Sequence, residues 1–358
     1  MNVGFLMFVT FFLCLLGFLL QKSKVLCSVQ MIWIACLTCF NTFSVDWLSN
    51  FWIYQDADNY TGFFGWIMKL FRYKFNANFY LFNGILALIS LLLILFIVMK
   101  MAARPSLVLS LWLVFPLIDN IIQKRYFWAF GYVVIAIYLL FNIKNKYMGL
   151  LIYECLVLMA CNIHSAYALF IVLPVFMMFS RKKQFLIIVI IMLLEFILYN
   201  HLSGIVNGMV ADNGGKVEFY LGTVSRLPII SIIFWGIWQI SQFYIIYKLF
   251  KYDTTVEASR IISMNLLFLI LIPLYGFNPV FTRCLRPILL FNYIAITNKI
   301  TVQNDANHIY MNKEILFLFM MYVAISLISF YLFNISTTTS QGFDTMVKTI
   351  YLNNSLLN

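Results

Sequence analysis

Residues 79–99 read FYLFNGILALISLLLILFIVM, an uncharged run closed by Lys100. A helix rises 1.5 Å per residue and the bilayer hydrocarbon is about 30 Å thick, so a run of this length reads as a membrane-spanning helix. The rest of the chain has the same character. Of its 358 residues 63% are hydrophobic and only 10% charged, with a mean hydropathy of +0.93. Soluble domains carry about one-quarter charged residues to coat their surface. A soluble globular fold is therefore excluded, and the chain is predicted to be an all-α polytopic membrane protein.

The template of residues 79–99 fits about twelve segments: 3–20, 25–43, 79–99, 105–122, 125–141, 147–161, 163–179, 185–199, 228–250, 261–277, 284–298 and 315–333. The count falls to ten or eleven if the pairs divided at Asp119-Asn120 and at Asn162 are re-entrant, since hydropathy treats both cases alike. Residues 3–20 resemble a signal-peptide core, but no basic region precedes them and Lys22 and Lys24 follow, so a retained first helix is expected. The whole of 1–358 is expected to form a single polytopic transmembrane domain.

The net charge of +11 does not point to nucleic acid, because the longest basic stretch is Arg181-Lys182-Lys183 and the charges fall between apolar runs. They report topology instead. With Lys22, Lys24, Lys100, Arg104, Lys144, Lys146 and Arg181–Lys183 on the inside, both termini are expected outside. The exterior connections are then the long ones. Residues 44–78 carry Trp47, Phe51, Trp52, Phe63, Phe64 and Trp66, which suit an interfacial segment, and residues 200–227 carry Gly204, Gly208, Gly214 and Gly215, which permit irregular backbone. These two outer loops are the expected site-forming insertions.

Several residues sit where they are expensive or unneeded. Glu154 and Glu195 fall inside apolar spans, where a carboxylate is either functional, protonated or paired. Lys124, Arg125, Arg226, Arg283 and Arg286 lie on the exterior, where topology does not ask for them. Arginine binds phosphate in a bidentate way, and Arg283 and Arg286, three apart, would share one helix face and grip a pyrophosphate; snorkelling at a helix end is the plainer account. His164, in the turn Cys161-Asn162-Ile163-His164-Ser165-Ala166, can act as acid, base or hydrogen-bond donor, or simply pack. Asp56 and Asp58 in Tyr54-Gln55-Asp56-Ala57-Asp58-Asn59-Tyr60 lie beside aromatic residues suited to stacking on sugars, so either carboxylate is a candidate general base.

No nucleotide-binding signature is present: there is no P-loop and no G-x-G-x-x-G ahead of a helix. A transferase of this kind must take a donor that is already activated and membrane-borne. The seven cysteines lie in or beside apolar runs without ligand-spaced partners, so neither a metal nor another cofactor is expected.

Asp56-Ala57-Asp58-Asn59-Tyr60, Gly62-Phe63, Lys124-Arg125-Tyr126, His164-Ser165-Ala166 and the stretch from Arg283 to Tyr293 occur in the order of the landmarks of the EpsG family of polysaccharide polymerases, which this chain resembles over most of its length. The chain departs from that pattern at Thr61, where the family carries an acidic residue before Gly-Phe. The resemblance implies a Wzy-type glycosyltransferase of the bacterial inner membrane. It would join undecaprenyl-pyrophosphate-linked repeat units on the outer face, for O-antigen, capsule or exopolysaccharide. It implies that Tyr60 contacts substrate and that a flippase and a chain-length regulator are partners, with no nucleic acid. A flippase for the same lipid-linked units is the main rival, though the chain shows no clear internal repeat. A membrane acyltransferase is a further one, disfavoured because no His precedes His164.

Overall fold

The computed structural model describes residues 2–199, 201, 228–300, 302–305, 308–311 and 313–357. Its helices start where polar caps precede apolar runs. Asn2 caps α1 (Val3–Leu19) by accepting from the Gly4 N–H, Ser23 caps α2 (Lys24–Cys39) through the Leu26 N–H, and Asn145 serves the Tyr147 and Met148 N–H groups of the helix Lys146–Ile163. The loop after α2 holds two short helices, α3 (Trp47–Gln55) and α4 (Gly62–Lys69). The opening stretch of the sequence becomes α5 (Phe79–Met101).

Residues 105–122, expected as one span, form two short helices instead, α6 (Pro105–Val114) and α7 (Leu117–Ile122). Phe115 and Pro116 interrupt the hydrogen-bond ladder. A broken segment survives at membrane depth only where protein covers it, and α7 is buried along its whole length. Residues 163–179 depart in a similar way, as a 3-10 helix (Ser165–Val172) running into the short α10 (Leu173–Met178). By length and composition seven described helices can cross a membrane: Phe79–Met101, Lys124–Asn142, Lys146–Ile163, Ile229–Phe250, Val256–Gly276, Pro279–Lys299 and Lys313–Ile335; four apolar helices are shorter. The expectation of about twelve counted these shorter helices and α11 (Arg181–Ile197), which opens on three cations, at full weight. Among the described residues the sheet is confined to an antiparallel hairpin, β1 (Val302–Asp305) on β2 (His308–Met311), with Val302 opposite Met311.

Contacts divide the chain into two compact units, Met1–Ile171 with Leu290–Asn358, and Val172–Leu289. In the first, α8 (Lys124–Asn142) packs between α5 and α9 (Lys146–Ile163), while α1 and α2 enclose α6. The α5–α8 approach is close because Gly131 faces Ser90: an added Cβ would lie 2.7 Å from Ser90 Cα. The Ser90 hydroxyl donates to the Phe127 carbonyl at 2.8 Å and accepts from the Gly131 N–H at 2.9 Å. Gln30 of α2 donates to the Leu13 carbonyl of α1 at 3.0 Å and to Ser110 Oγ of α6 at 2.9 Å. Small residues and interhelical hydrogen bonds of this kind hold helices together where lipid removes the hydrophobic drive.

The second unit uses the same devices. Arg181 of α11 donates to the Ser259 carbonyl at 3.0 Å, and Ser263 Oγ to Gln184 Oε1 at 3.0 Å. Tyr275 OH donates to Gln239 Oε1 at 2.6 Å, and Gln239 Nε2 to the Phe268 carbonyl at 2.6 Å, tying Pro228–Phe250 to the 3-10 turns that follow Val256–Leu267.

Candidate functional site

The aromatic segment 44–78 anchors the first cluster of candidate residues. Tyr54 is buried under α5, its hydroxyl donating to the Ala77 carbonyl at 2.7 Å and its ring stacked on Phe82 at 4.6 Å. Burial pushes its phenol above the ordinary value. A 3-10 turn, Ala57–Asn59, then presents Asp56 and Asp58 at the exposed surface. Asp56 Oδ1 accepts from Asn59 Nδ2 at 2.7 Å, which closes the turn. Asp58 Oδ2 accepts from Tyr73 OH at 2.5 Å. That hydrogen bond, the largest influence on Tyr73, raises its phenol above the ordinary value. Arg72 lies over the Tyr73 ring at 5.4 Å and donates to the Gln55 carbonyl, so the two arms of the loop are tied together.

Helix α4 begins at Gly62 with φ +71°, a left-handed conformation that glycine adopts without strain. The residue before it, Thr61, stands at the N-cap position but makes no side-chain cap. The cap comes from another helix. Asn162, at the end of α9, accepts from the Phe64 N–H through Oδ1 at 2.7 Å, and its amide sits 2.5 Å from where a Cβ on Gly62 would be. Tyr60 stands half-buried on this loop, edge-on to Phe64 at 6.4 Å.

Two residues beyond Asn162, α9 ends at His164. The half-buried His164 ring meets Tyr126 edge-on at 5.6 Å, and Tyr126 stacks on Tyr167 at 4.8 Å. His164 Nδ1 accepts from the Ala166 N–H at 3.2 Å, which uses that lone pair and places the proton of the neutral ring on Nε2. Tyr126 follows Lys124-Arg125 at the start of α8, so the basic pair and the histidine turn are joined through one aromatic contact. Arg125 is half-buried, whereas Lys124 is only 2% exposed and donates from Nζ to Asn41 Oδ1 at 3.0 Å. Lys124 is thus an interior residue, at odds with its expected place on the outer surface. Asn41 also donates to the Asn353 carbonyl at 3.2 Å. Just before α8, buried Asp119 accepts from Asn334 Nδ2 at 3.3 Å, and among the described residues both amide atoms of buried Asn120 are without a hydrogen bond.

The second unit holds the other candidates. Arg283 belongs to the 3-10 helix Pro279–Leu285, and the Arg286 N–H donates to the Arg283 carbonyl. With three residues per 3-10 turn, 283 and 286 lie one above the other. Arg283 is half-buried and Arg286 only 2% exposed, deeper than a surface cation. Glu195 lies near the end of α11, and among the described residues its buried Oε2 finds no hydrogen-bond partner, nor does Tyr199 OH one turn on. Tyr199 stacks flat on Phe277 at 4.1 Å. Glu154, on α9 of the first unit, is half-buried. Arg226 and the loop 200–227, apart from His201, lie outside the described residues. Among the described residues no three His, Cys, Asp or Glu side chains converge as a metal site needs.

Within the first unit the structure therefore connects the Asp58 loop to the His164 turn through Asn162, and the His164 turn to Lys124-Arg125 through Tyr126. Sequence reasoning missed Tyr73, Asn162 and Asn41 as partners. Tyr73 lies 15 residues from Asp58, Asn162 98 residues from Phe64, and Asn41 83 from Lys124, with no local pattern linking any pair.

Comparison with curated proteins and with solved structures gives no match. The family comparison is decisive, because the EpsG family model matches residues 24–340, which include every element just described from α2 to the His164 turn and the Arg283–Arg286 turn. The chain belongs to the EpsG family, a family of exopolysaccharide and O-antigen polymerase-like proteins.

Proposed function

We propose that this protein is a Wzy-type polymerase that joins undecaprenyl-pyrophosphate-linked oligosaccharide repeat units at the outer face of a bacterial inner membrane, with both termini on that side. The observation that carries this reading is the docking of the Asp58 loop beside the His164 turn through Asn162, in a chain of the EpsG family. A glycosyl transfer needs a base for the acceptor hydroxyl and positive charge for the leaving pyrophosphate.

Asp58 is the better base of the two candidates. Its Oδ2 is held by Tyr73, which fixes the carboxylate, and Oδ1 accepts no hydrogen bond among the described residues. His164, with Nδ1 already accepting, is suited to donate from Nε2 to a sugar oxygen. In the proposed step the acceptor hydroxyl passes its proton to Asp58 as its oxygen bonds to the anomeric carbon of the growing chain. The bond from that carbon to the pyrophosphate oxygen breaks, and undecaprenyl pyrophosphate leaves. Arg125 is assigned to phosphate in the first unit and the stacked Arg283 and Arg286 in the second, each as a fork for pyrophosphate oxygens. Tyr60 and its aromatic neighbours offer rings for stacking on sugars.

The test is reconstitution of the purified protein with lipid-linked repeat unit alone. Longer lipid-linked products without nucleotide sugar, lost in Asp58→Asn, are the expected result. Elongation that requires a nucleotide sugar, or none with active substrate, refutes the proposal.

A further inference from the structure

The tight turn between α1 and α2 and the start of α6 border an open, shallow cavity of about 380 Å³ lined by Leu19, Leu20, Gln21, Lys22, Ser23 and Arg104. That volume falls in the range of small-molecule sites, ~300–1,000 Å³. Two of its six lining residues are cationic and none is acidic. The cavity is built by specific contacts. The Arg104 guanidinium donates to Gln21 Oε1 and to the Ile300 carbonyl, Gln21 Nε2 donates to the Phe18 carbonyl at 3.0 Å, and the Ser106 hydroxyl donates to the Ser23 carbonyl. Arginine has five N–H donors, so these two bonds hold the group in place and leave others for a ligand.

Three further features point to the ligand's chemistry. Lys22 is exposed at the mouth of the cavity and has no acidic partner among the described residues. Helix α2 opens here at Lys24, with the positive end of its dipole, the Leu26 N–H being taken by the Ser23 cap. The remaining lining is apolar and accessible, with Leu19 69% and Leu20 54% exposed. A cationic floor, a helix N-terminus and a greasy lip together match a phosphate carried on an acyl chain. Basic pockets between helices are known to take anionic lipid headgroups, and Lys22 and Arg104 belong to the basic-rich side of the charge asymmetry.

We propose that this cavity binds a phosphate group presented by an anionic membrane lipid, free phosphate being the other carrier of the same chemistry. The site is separate from the residues assigned to glycosyl transfer, and the proposal stands whether or not the polymerase reading does. The full-length protein, purified in detergent, is titrated with phosphatidylglycerol, phosphatidylcholine or inorganic phosphate while its melting temperature is followed. The same titrations are run on Lys22→Glu, at an exposed position, and on Arg104→Gln. Saturable stabilisation by phosphatidylglycerol and not phosphatidylcholine, weakened at least tenfold in Lys22→Glu, is the expected result. Stabilisation by inorganic phosphate with the same dependence on Lys22 supports the site and identifies its ligand as free phosphate. Phosphatidylglycerol and phosphate responses that Lys22→Glu leaves unchanged, or no response to either, overturn the proposal.

Discussion

Replacing Asn162 tests how the site is assembled, because that side chain caps a helix that is not its own. Thr61 makes no cap for α4, and the Phe64 N–H is satisfied by Asn162 Oδ1 at 2.7 Å. Exchange of a capping side chain for alanine costs about 1 kcal/mol, within a range of ~0.5–2 kcal/mol, which is about a fivefold change in the balance between docked and undocked loop. Asn162→Ala is therefore expected to raise hydrogen exchange at the Phe64 amide about fivefold and to shorten the surface polysaccharide. Asn162→Asp keeps an acceptor oxygen, and its negative charge gains ~0.3–1 kcal/mol at the α4 N-terminus while losing a similar amount in the last turn of α9, so it should retain both docking and polymer. The readouts are exchange of the peptide spanning α4 and the polysaccharide ladder of a complemented deletion strain. Equal losses in the Ala and Asp variants, or wild-type exchange in Asn162→Ala, refute the capping argument.

Three further predictions follow from other contacts. Arg283→Ala is expected to abolish chain extension while leaving the protein inserted at normal level, and Arg283→Lys to recover only part of it, since an ammonium lacks the planar fork; normal long polymer from Arg283→Ala contradicts the assignment. Asn41→Ala removes the oxygen that accepts from buried Lys124 Nζ and should destabilise the protein by about 1–3 kcal/mol, the cost of leaving a buried donor unsatisfied. An unchanged melting temperature refutes it. Tyr73 has its phenol raised by the hydrogen bond to Asp58, so the neutral, donating form is favoured in the folded state. The link is then intact below the ordinary tyrosine value of about 10 and is lost only as pH climbs through the raised one. Ultraviolet titration of wild type against Tyr73→Phe should show the missing phenol ionising late, and ionisation at or below the ordinary value contradicts the contact.

Long apolar runs are self-sufficient signals, and residues 79–99 and 315–333 became Phe79–Met101 and Lys313–Ile335 with little change. Segments whose structure depends on neighbours were not legible in the same way. Residues 105–122 have the hydropathy of one span, yet they break at Phe115-Pro116 because surrounding helices bury the interruption. The three-residue spacing of Arg283 and Arg286 was visible, and a 3-10 turn stacks the two positions. Their burial was not, since it is set by packing. The candidate residues, Asp58, His164 and Lys124-Arg125, stood out because polar groups are conspicuous in so apolar a chain. Their partners Tyr73, Asn162 and Asn41 did not, because a Tyr or Asn beside an apolar run is unremarkable until the fold brings a distant group to it.

The central claim is tested most directly by the surface polysaccharide of a strain lacking this gene, run as a ladder beside the complemented strain. A polymerase predicts that the ladder collapses to a single repeat unit still attached to its carrier and that complementation restores the long chains. Loss of every unit, with lipid-linked precursor accumulating on the inner face, contradicts polymerisation and marks the protein as a flippase.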